Sequence, residues 1–145
     1  MSKRIGQRTG PLRVLVVEDD RQDAYFIMNA LDQAGETESD LVTSGAAAVE
    51  AITEGVHDIV LLDLNMPGIT GRDVLKTIRT ERGIKTPIIV LSTSTQRGDI
   101  DDSYALNANA YIVKPYGLDE YDTIAAGLHN FWHVLARLPG EPRPG

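Results

Sequence analysis

The sequence predicts a doubly wound α/β fold, in which helices cover both faces of a parallel five-stranded sheet. Two observations predict it. Five short apolar segments, rich in β-branched residues, alternate along the chain with segments whose apolar residues recur at helical spacing. The chain also has 145 residues, of which 42% are hydrophobic, and this suits one domain with a single core. Alternating strands and helices are connected by right-handed crossovers, which place the strands parallel and the helices on both faces.

The first strand and the first helix illustrate the two periodicities. Residues 12–17 are almost entirely apolar, as is typical of a strand buried on both faces. A helix that ends before Gly35 follows. Its apolar face recurs at positions i, i+3, i+4 and i+7, at Ala24, Ile27, Met28 and Leu31.

The later elements follow from the same reasoning. Strands are predicted at 39–43, 58–63, 87–92 and 110–113, and helices at 46–53, 74–78, 99–106 and 118–138. We expect the flavodoxin-like strand order 2-1-3-4-5. In that order the functional crevice lies at the carboxyl ends of strands 1 and 3, where the direction of winding changes.

The composition limits the classes of function. We expect a flexible basic arm at 1–11, a folded domain at 12–138 and a disordered tail at 139–145. The net charge is -7, and residues 1–13 carry four basic residues and no acid. The acidic remainder is poorly suited to nucleic acid. The absence of cysteine excludes disulfides and thiolate sites. No apolar run is long enough to cross a bilayer, so we expect a cytoplasmic protein.

Polar residues follow four of the predicted strands. Glu18 and Asp19 follow strand 1, Asp63 ends strand 3, Ser92 ends strand 4, and Lys114 follows strand 5. Because parallel strands end at the same edge of the sheet, these side chains are expected to converge. Neighbouring carboxylates repel one another, and a hard divalent cation relieves the repulsion. The sequence therefore predicts a Mg²⁺ site, with Mn²⁺ and Ca²⁺ as alternatives.

This combination suits phosphoryl chemistry. Asp63 would be a nucleophile that forms an acyl phosphate, Ser92 would donate to a phosphoryl oxygen, and Lys114 would neutralise its charge. A single aspartate at a strand end is more often a turn or capping residue. Asp20 and Asp23 are interpreted in that way, as acidic residues at the N-terminus of the first helix.

Four motifs carry a family resemblance: V-V-E-D, D-L-N-M-P-G-I-T-G, L-S-T and Y-I-V-K-P. In this order they resemble the response-regulator receiver domain of two-component signalling, of the chemotaxis-regulator type. The resemblance covers Leu12 to about Arg137. It implies that a histidine kinase phosphorylates Asp63. It also implies that Asp19, Asp63 and the backbone carbonyl of Asn65 bind the metal, with Glu18 acting through a water.

The same resemblance implies a switch. Ser92 would be the switch hydroxyl, and Tyr111 would turn inward when Ser92 moves, which changes the surface formed by helix 4, strand 5 and helix 5. Thr93 stands where many receivers have alanine, which could alter water access and hence the dephosphorylation rate. The Lys114–Pro115 bond is expected to be cis. Such a protein is a signalling protein, not an enzyme, although it assists its own phosphorylation and autodephosphorylation.

Two longer segments are similar to single-domain regulators that partner bacterial and cyanobacterial phytochromes. They are E-D-D-R-Q-D and D-I-D-D-S-Y-A-L-N-A-N-A-Y-I-V-K-P. The similarity implies a kinase controlled by a red-light photoreceptor. No output or DNA-binding domain is expected after Arg137, so the output would be protein binding. A phosphate sink, or an interaction module that acts without phosphorylation, is the alternative.

The last helix carries an apolar stripe. It predicts either a well-packed core helix or a homodimer contact, which we favour, through Tyr121, Leu128, Phe131, Trp132 and Leu135. His129 and His133, four residues apart, are interpreted as surface residues.

Two other functions on this fold fit the sequence less well. A flavin-binding protein would need a phosphate-cradling loop after strand 1, where the acidic E-D-D-R-Q-D would repel phosphate. A haloacid-dehalogenase-like phosphatase would carry a D-x-D motif at that position.

Overall fold

The strands form one parallel sheet whose order matches the prediction. The computed structural model describes residues 10–139. Its strands are β1 (Leu12–Val17), β2 (Thr37–Val42), β3 (Ile59–Leu62), β4 (Ile88–Ser92) and β5 (Ala110–Val113). The order is β2-β1-β3-β4-β5, and every pairing is parallel. The three central strands are almost completely buried, because helices cover both of their faces.

The helices alternate with these strands. They are α1 (Arg21–Ala34), α2 (Gly45–Glu54), α3 (Gly71–Lys76), α4 (Arg97–Ala105) and α5 (Leu118–His129). Wider π-helical turns extend α3 over Thr77–Glu81 and α5 over Asn130–Leu135. The predicted last helix, 118–138, was therefore too long and too regular. Within residues 10–139, no helix has both the length and the apolar character needed to span a membrane.

Side-chain caps set the starts of the first three helices. The Asp20 carboxylate accepts from the backbone N–H of Asp23 at 3.0 Å and begins α1 directly after β1. Ser44 caps α2 in the same way. Thr70 and Asp73 form a reciprocal capping box at the start of α3. The cap on α1 matters for the site, because it brings the first turn of that helix to the carboxyl edge of the sheet.

The core lies in two layers, one on each face of the sheet. Alternate residues of β1 pack in different layers, because successive side chains of a strand point to opposite faces of the sheet. Val14 and Val16 pack with α1 and α5, whereas Leu15 and Val17 pack with α2 and α3. This arrangement leaves the carboxyl ends of the strands free for polar side chains.

The packing of α5 corrects part of the predicted dimer contact. Tyr121 and Leu128 are buried in the layer between α5 and α1, and the Tyr121 ring lies 5.7 Å from that of Phe26. They are core residues of one molecule and cannot form a dimer surface. Phe131 and Leu135 are exposed, and Trp132 is half-buried.

The histidine interpretation is wrong for His133. This side chain is completely buried, and its Nε2 lies 2.7 Å from the backbone carbonyl oxygen of Gly10. Its ring stacks on that of His129 at a centroid distance of 4.6 Å. His133 lies in the π-helical turn Asn130–Leu135, which brings its ring to the Gly10 carbonyl. The predicted arm at 1–11 and tail at 139–145 lie almost entirely outside the described residues.

Candidate functional site

Backbone hydrogen bonds continue past the ends of three strands and fix where the polar residues begin. The N–H groups of Glu18, Asp63 and Lys114 donate at 3.1, 3.0 and 2.7 Å to carbonyl oxygens of neighbouring strands. Each of these residues is the first after its strand. Their side chains consequently start from the same edge of the sheet, as the sequence predicted.

Glu18, Asp19 and Asp63 form an acidic cluster. Their closest carboxylate oxygens all lie within 4.8 Å of one another. Glu18 and Asp63 are only 4% and 5% exposed, and Asp19 is more open to solvent. Burial raises the pKa of Glu18 to about 8, and the neighbouring Asp63 adds to the shift, while Lys114 opposes it. All three residues of the cluster are acidic, so any neutralising positive charge must come from outside the cluster.

The ammonium of Lys114 faces this cluster. Its Nζ atom lies 2.5 Å from Glu18, 3.0 Å from Asp23 and 3.7 Å from the nearer Asp63 oxygen. Burial disfavours its charge, but hydrogen bonds to Glu18 and Asp23, with the charges of Glu18 and Asp63, raise its pKa overall. With rising pH, Glu18 therefore loses its proton before Lys114 does, and the pKa of both groups is raised.

The structure adds Asp23 to the site. The sequence analysis assigned it only to the helix terminus, but its Oδ2 atom accepts a hydrogen bond from Lys114. The signal that could have found it is its place in the first turn of a helix that starts directly after β1. That turn shares the sheet edge with the residue after β5.

Ser92 and Tyr111 are connected through one residue of the β4–α4 loop. Ser92 is fully buried, and its hydroxyl oxygen accepts from the N–H of Ser94 at 3.2 Å. The Tyr111 hydroxyl donates to the Ser94 carbonyl at 2.8 Å. The Ser94 hydroxyl in turn donates to Asp99, which pairs with Arg72 of α3. Sequence reasoning missed Ser94, Asp99 and Arg72, whose link depends on tertiary contact.

The remaining predicted residues lie at the rim. Thr93 and Asn65 are exposed, and the Asn65 N–H donates to Asp63 Oδ1 at 3.2 Å. The cis prediction for Lys114–Pro115 is wrong, since no peptide bond within residues 10–139 is cis. The trans isomer is the more stable one before proline, and from it Lys114 already reaches three carboxylates.

The donor set fits a hard divalent cation. All three clustered side chains offer carboxylate oxygens, which Mg²⁺ and Mn²⁺ accept and which are not the ligands of structural zinc sites. Burial is the main cause of the raised pKa of Glu18, and a dication would offset the repulsion from Asp63 that adds to it.

Comparisons with known proteins agree with this geometry. Residues 14–126 match the family model of the response regulator receiver domain. The phosphorylated cyanobacterial phytochrome response regulator RcpA is 33% identical, with a TM-score of 0.81 over 90% of this chain and 100% of that one. RPA3017, in red light signaling of R. palustris, is 31% identical, with a TM-score of 0.80 over 90% and 99%.

A third relative was solved with a metal. The Mn²⁺-bound form of response regulator Rcp1, from Synechocystis sp., is 30% identical, with a TM-score of 0.79 over 90% of this chain and 100% of that one. Some other relatives are longer proteins, and this chain spans about half of their length. The fold, the acidic cluster and these matches together place the chain in the response regulator receiver domain family of two-component signalling, with phytochrome response regulators among its relatives.

Proposed function

We propose that the chain accepts a phosphoryl group on Asp63, with Mg²⁺ bound by the acidic cluster. One observation carries the proposal. The Asp63 carboxylate lies within 4.8 Å of the Glu18 and Asp19 carboxylates, and the Lys114 ammonium is 3.7 Å from it. A phosphoryl group bound there would meet positive charge from the cation and from Lys114, which is the arrangement that stabilises phosphoryl transfer.

Each side chain of the site would have a separate role in phosphoryl transfer. An Asp63 oxygen attacks the phosphorus of a phosphohistidine, the new O–P bond forms as the N–P bond breaks, and the imidazole leaves. Lys114 offsets the negative charge that arrives with the phosphoryl oxygens. Asp19, Asp63 and the Asn65 carbonyl would hold the cation, with Glu18 acting through a water. The bound cation supplies charge neutralisation to the transferring group.

The signal would pass from Asp63 to the β4–α4 loop. Ser92 would donate its hydroxyl proton to a phosphoryl oxygen and give up its bond from the Ser94 N–H. Because Ser94 also holds Tyr111 and Asp99, its movement would alter α4 and β5 together. A local gain of charge would thus bias a two-state surface.

We further propose that the donor is a histidine kinase linked to a phytochrome. The similarity to RcpA, a cyanobacterial phytochrome response regulator, and to RPA3017, in red light signaling of R. palustris, supports this choice. The test is phosphotransfer from a purified, autophosphorylated phytochrome kinase, compared with a chemotaxis kinase. Transfer at equal rates from both would remove the support for a phytochrome partner.

The phosphorylation test is direct. The protein is incubated with acetyl phosphate and Mg²⁺, and its intact mass is recorded within seconds of quenching. The wild type is expected to gain one phosphoryl group, whereas Asp63→Asn and a sample treated with a chelator gain none. Phosphorylation of Asp63→Asn, or none in the wild type, would contradict the assignment and favour an interaction module that acts without phosphate.

A homodimer through the end of α5 is a second proposal. Phe131 and Leu135 are 51% and 41% exposed. With Trp132, Phe131 lines an apolar cleft of about 410 Å³ between α5 and β5. Light scattering after gel filtration should give a dimer for the wild type and a monomer for Phe131→Glu/Leu135→Glu. Val56→Glu, an equally drastic change at another exposed apolar residue, should leave the dimer intact.

A further inference from the structure

We propose that Asp23 is a positioning residue that holds Lys114 away from Asp63 in the unphosphorylated protein. The inference rests on the proposed function, because it concerns the same phosphoacceptor. It adds Asp23 as a second acceptor for the Lys114 ammonium. The phosphoryl oxygens must replace Asp23 as the partner of the lysine during the reaction.

The distances show which carboxylates accept hydrogen bonds from Lys114. Its Nζ atom is within hydrogen-bond distance of Glu18 and Asp23, at 2.5 and 3.0 Å, whereas the nearest Asp63 oxygen is 3.7 Å away. A separation of that size is too long for a hydrogen bond. In this state Lys114 donates hydrogen bonds to two carboxylates other than the phosphoacceptor. Asp63 receives only the longer-range attraction of the lysine's positive charge.

Burial decides which of the two partners the lysine can give up. The Glu18 side chain is 5% exposed, so losing the lysine would leave this buried carboxyl with the longer hydrogen bond from the Asp20 N–H, at 3.2 Å. The Asp23 side chain is 31% exposed, and water can replace the lysine there at little cost. Lys114 would therefore leave Asp23 and keep Glu18 when the phosphoryl oxygens arrive.

The position of Asp23 suits this role. It lies in the first turn of α1, which Asp20 caps through the backbone N–H of Asp23 and not through its side chain. Its carboxylate is outside the cluster of Glu18, Asp19 and Asp63 that could hold a metal. Replacing it should therefore leave both the helix start and the metal ligands in place.

The test compares the rate of Asp63 phosphorylation by acetyl phosphate in four proteins. Asp23→Ala is expected to react about three- to fivefold faster than the wild type, since the partly exposed Asp23 carboxylate no longer competes for the buried Lys114 ammonium. Asp23→Glu restores the charge and should return the rate to within about twofold of the wild type. Asp32→Ala, which removes a carboxylate near the other end of α1, should not change the rate.

A second readout separates positioning from a simple loss of negative charge. Mn²⁺ affinity, measured by loss of the free-ion electron paramagnetic resonance signal without a phosphoryl donor, should be unchanged in Asp23→Ala. An unchanged or lower rate in Asp23→Ala, or a rise in Mn²⁺ affinity as large as the rise in rate, would overturn the inference. If the wild type itself is not phosphorylated, the proposed function fails and the inference fails with it.

Discussion

Gly71, the first residue of α3, lies directly against the backbone of Asp63. A Cβ atom at position 71 would overlap the Asp63 carbonyl oxygen and approach the Cα atom of Leu64. The Gly71 N–H also donates to the Leu64 carbonyl at 3.1 Å. The start of α3 thus supports the loop that carries Asp63, and only glycine allows the two to come so close.

Gly71→Ala is expected to lower the free energy of unfolding by about 1–3 kcal/mol and to slow phosphorylation, because the Asp63 loop must shift. Urea unfolding and intact mass would measure the two effects. Gly98→Ala is the matched control, since a Cβ there meets open space and alanine favours helix α4. A Gly71→Ala protein as stable and reactive as the wild type would show that the contact can relax freely.

Tyr111→Phe is expected to loosen the β4–α4 loop, because it removes the hydroxyl that donates to the Ser94 carbonyl. The loss should cost about 1 kcal/mol of stability and speed amide hydrogen exchange at residues 93–96. Tyr25→Phe, at an exposed ring on α1, serves as the control and should change neither quantity. Unaltered exchange in Tyr111→Phe would exclude a role for this bond in restraining the loop.

The metal-free protein is expected to lose stability as the pH rises from 4.5 towards 8. Burial raises the pKa of Glu18 from its ordinary 4.5 to about 8, so in this range the folded state retains a proton that the unfolded state has released. Stability then falls with pH, by an estimated ~2–4 kcal/mol across the window. The raised pKa of Lys114 acts only at higher pH, because its stabilising contribution is present throughout this range.

Urea unfolding in the presence of a chelator would measure this slope. Glu18→Gln should flatten it, whereas Glu54→Gln, at an exposed residue near the end of α2, should leave it unchanged. A slope that persists in Glu18→Gln would assign the pH dependence to another group.

Mg²⁺ is expected to raise the melting temperature, because a ligand that binds only the folded state stabilises it by mass action. At an Mg²⁺ concentration one hundredfold above its dissociation constant, the gain is about 2.7 kcal/mol. Asp19→Asn should remove most of this gain, while Asp32→Asn should retain it. Equal protection of both variants would place the cation elsewhere on the acidic surface.

Local patterns were sufficient for the fold and for the main site residues. Strand β1 is buried throughout apart from Arg13, and its apolar run ends in Glu18, so both the element and its functional end are visible in one segment. Convergence of Glu18, Asp63 and Lys114 follows from parallel strands, which end on one edge whatever their detailed packing. Periodicity also identified the apolar stripe of α5.

Local sequence patterns do not predict which residue each side chain contacts in the folded protein. The α5 stripe was the same whether it faced α1 or a second molecule, and only packing places Tyr121 and Leu128 inside. The burial of His133 depends on Gly10, which is far away in the sequence. The hydrogen bond from Lys114 to Asp23 joins the residue after β5 to a residue of α1, and the two share no motif.

The sequence by itself determined the strand order, the edge of the sheet where the polar side chains meet and the chemical groups they carry, because these follow from periodicity, chain direction and residue identity. Only the tertiary structure decided how those groups pair. It assigned Lys114 to Glu18 and Asp23 in preference to Asp63, kept the Lys114–Pro115 bond trans and tied Ser92 to Tyr111 through Ser94. The physical reason is that contacts such as those of Lys114 and Tyr111, at 2.5 to 3.0 Å, depend on how separate elements pack, and no local pattern encodes that distance.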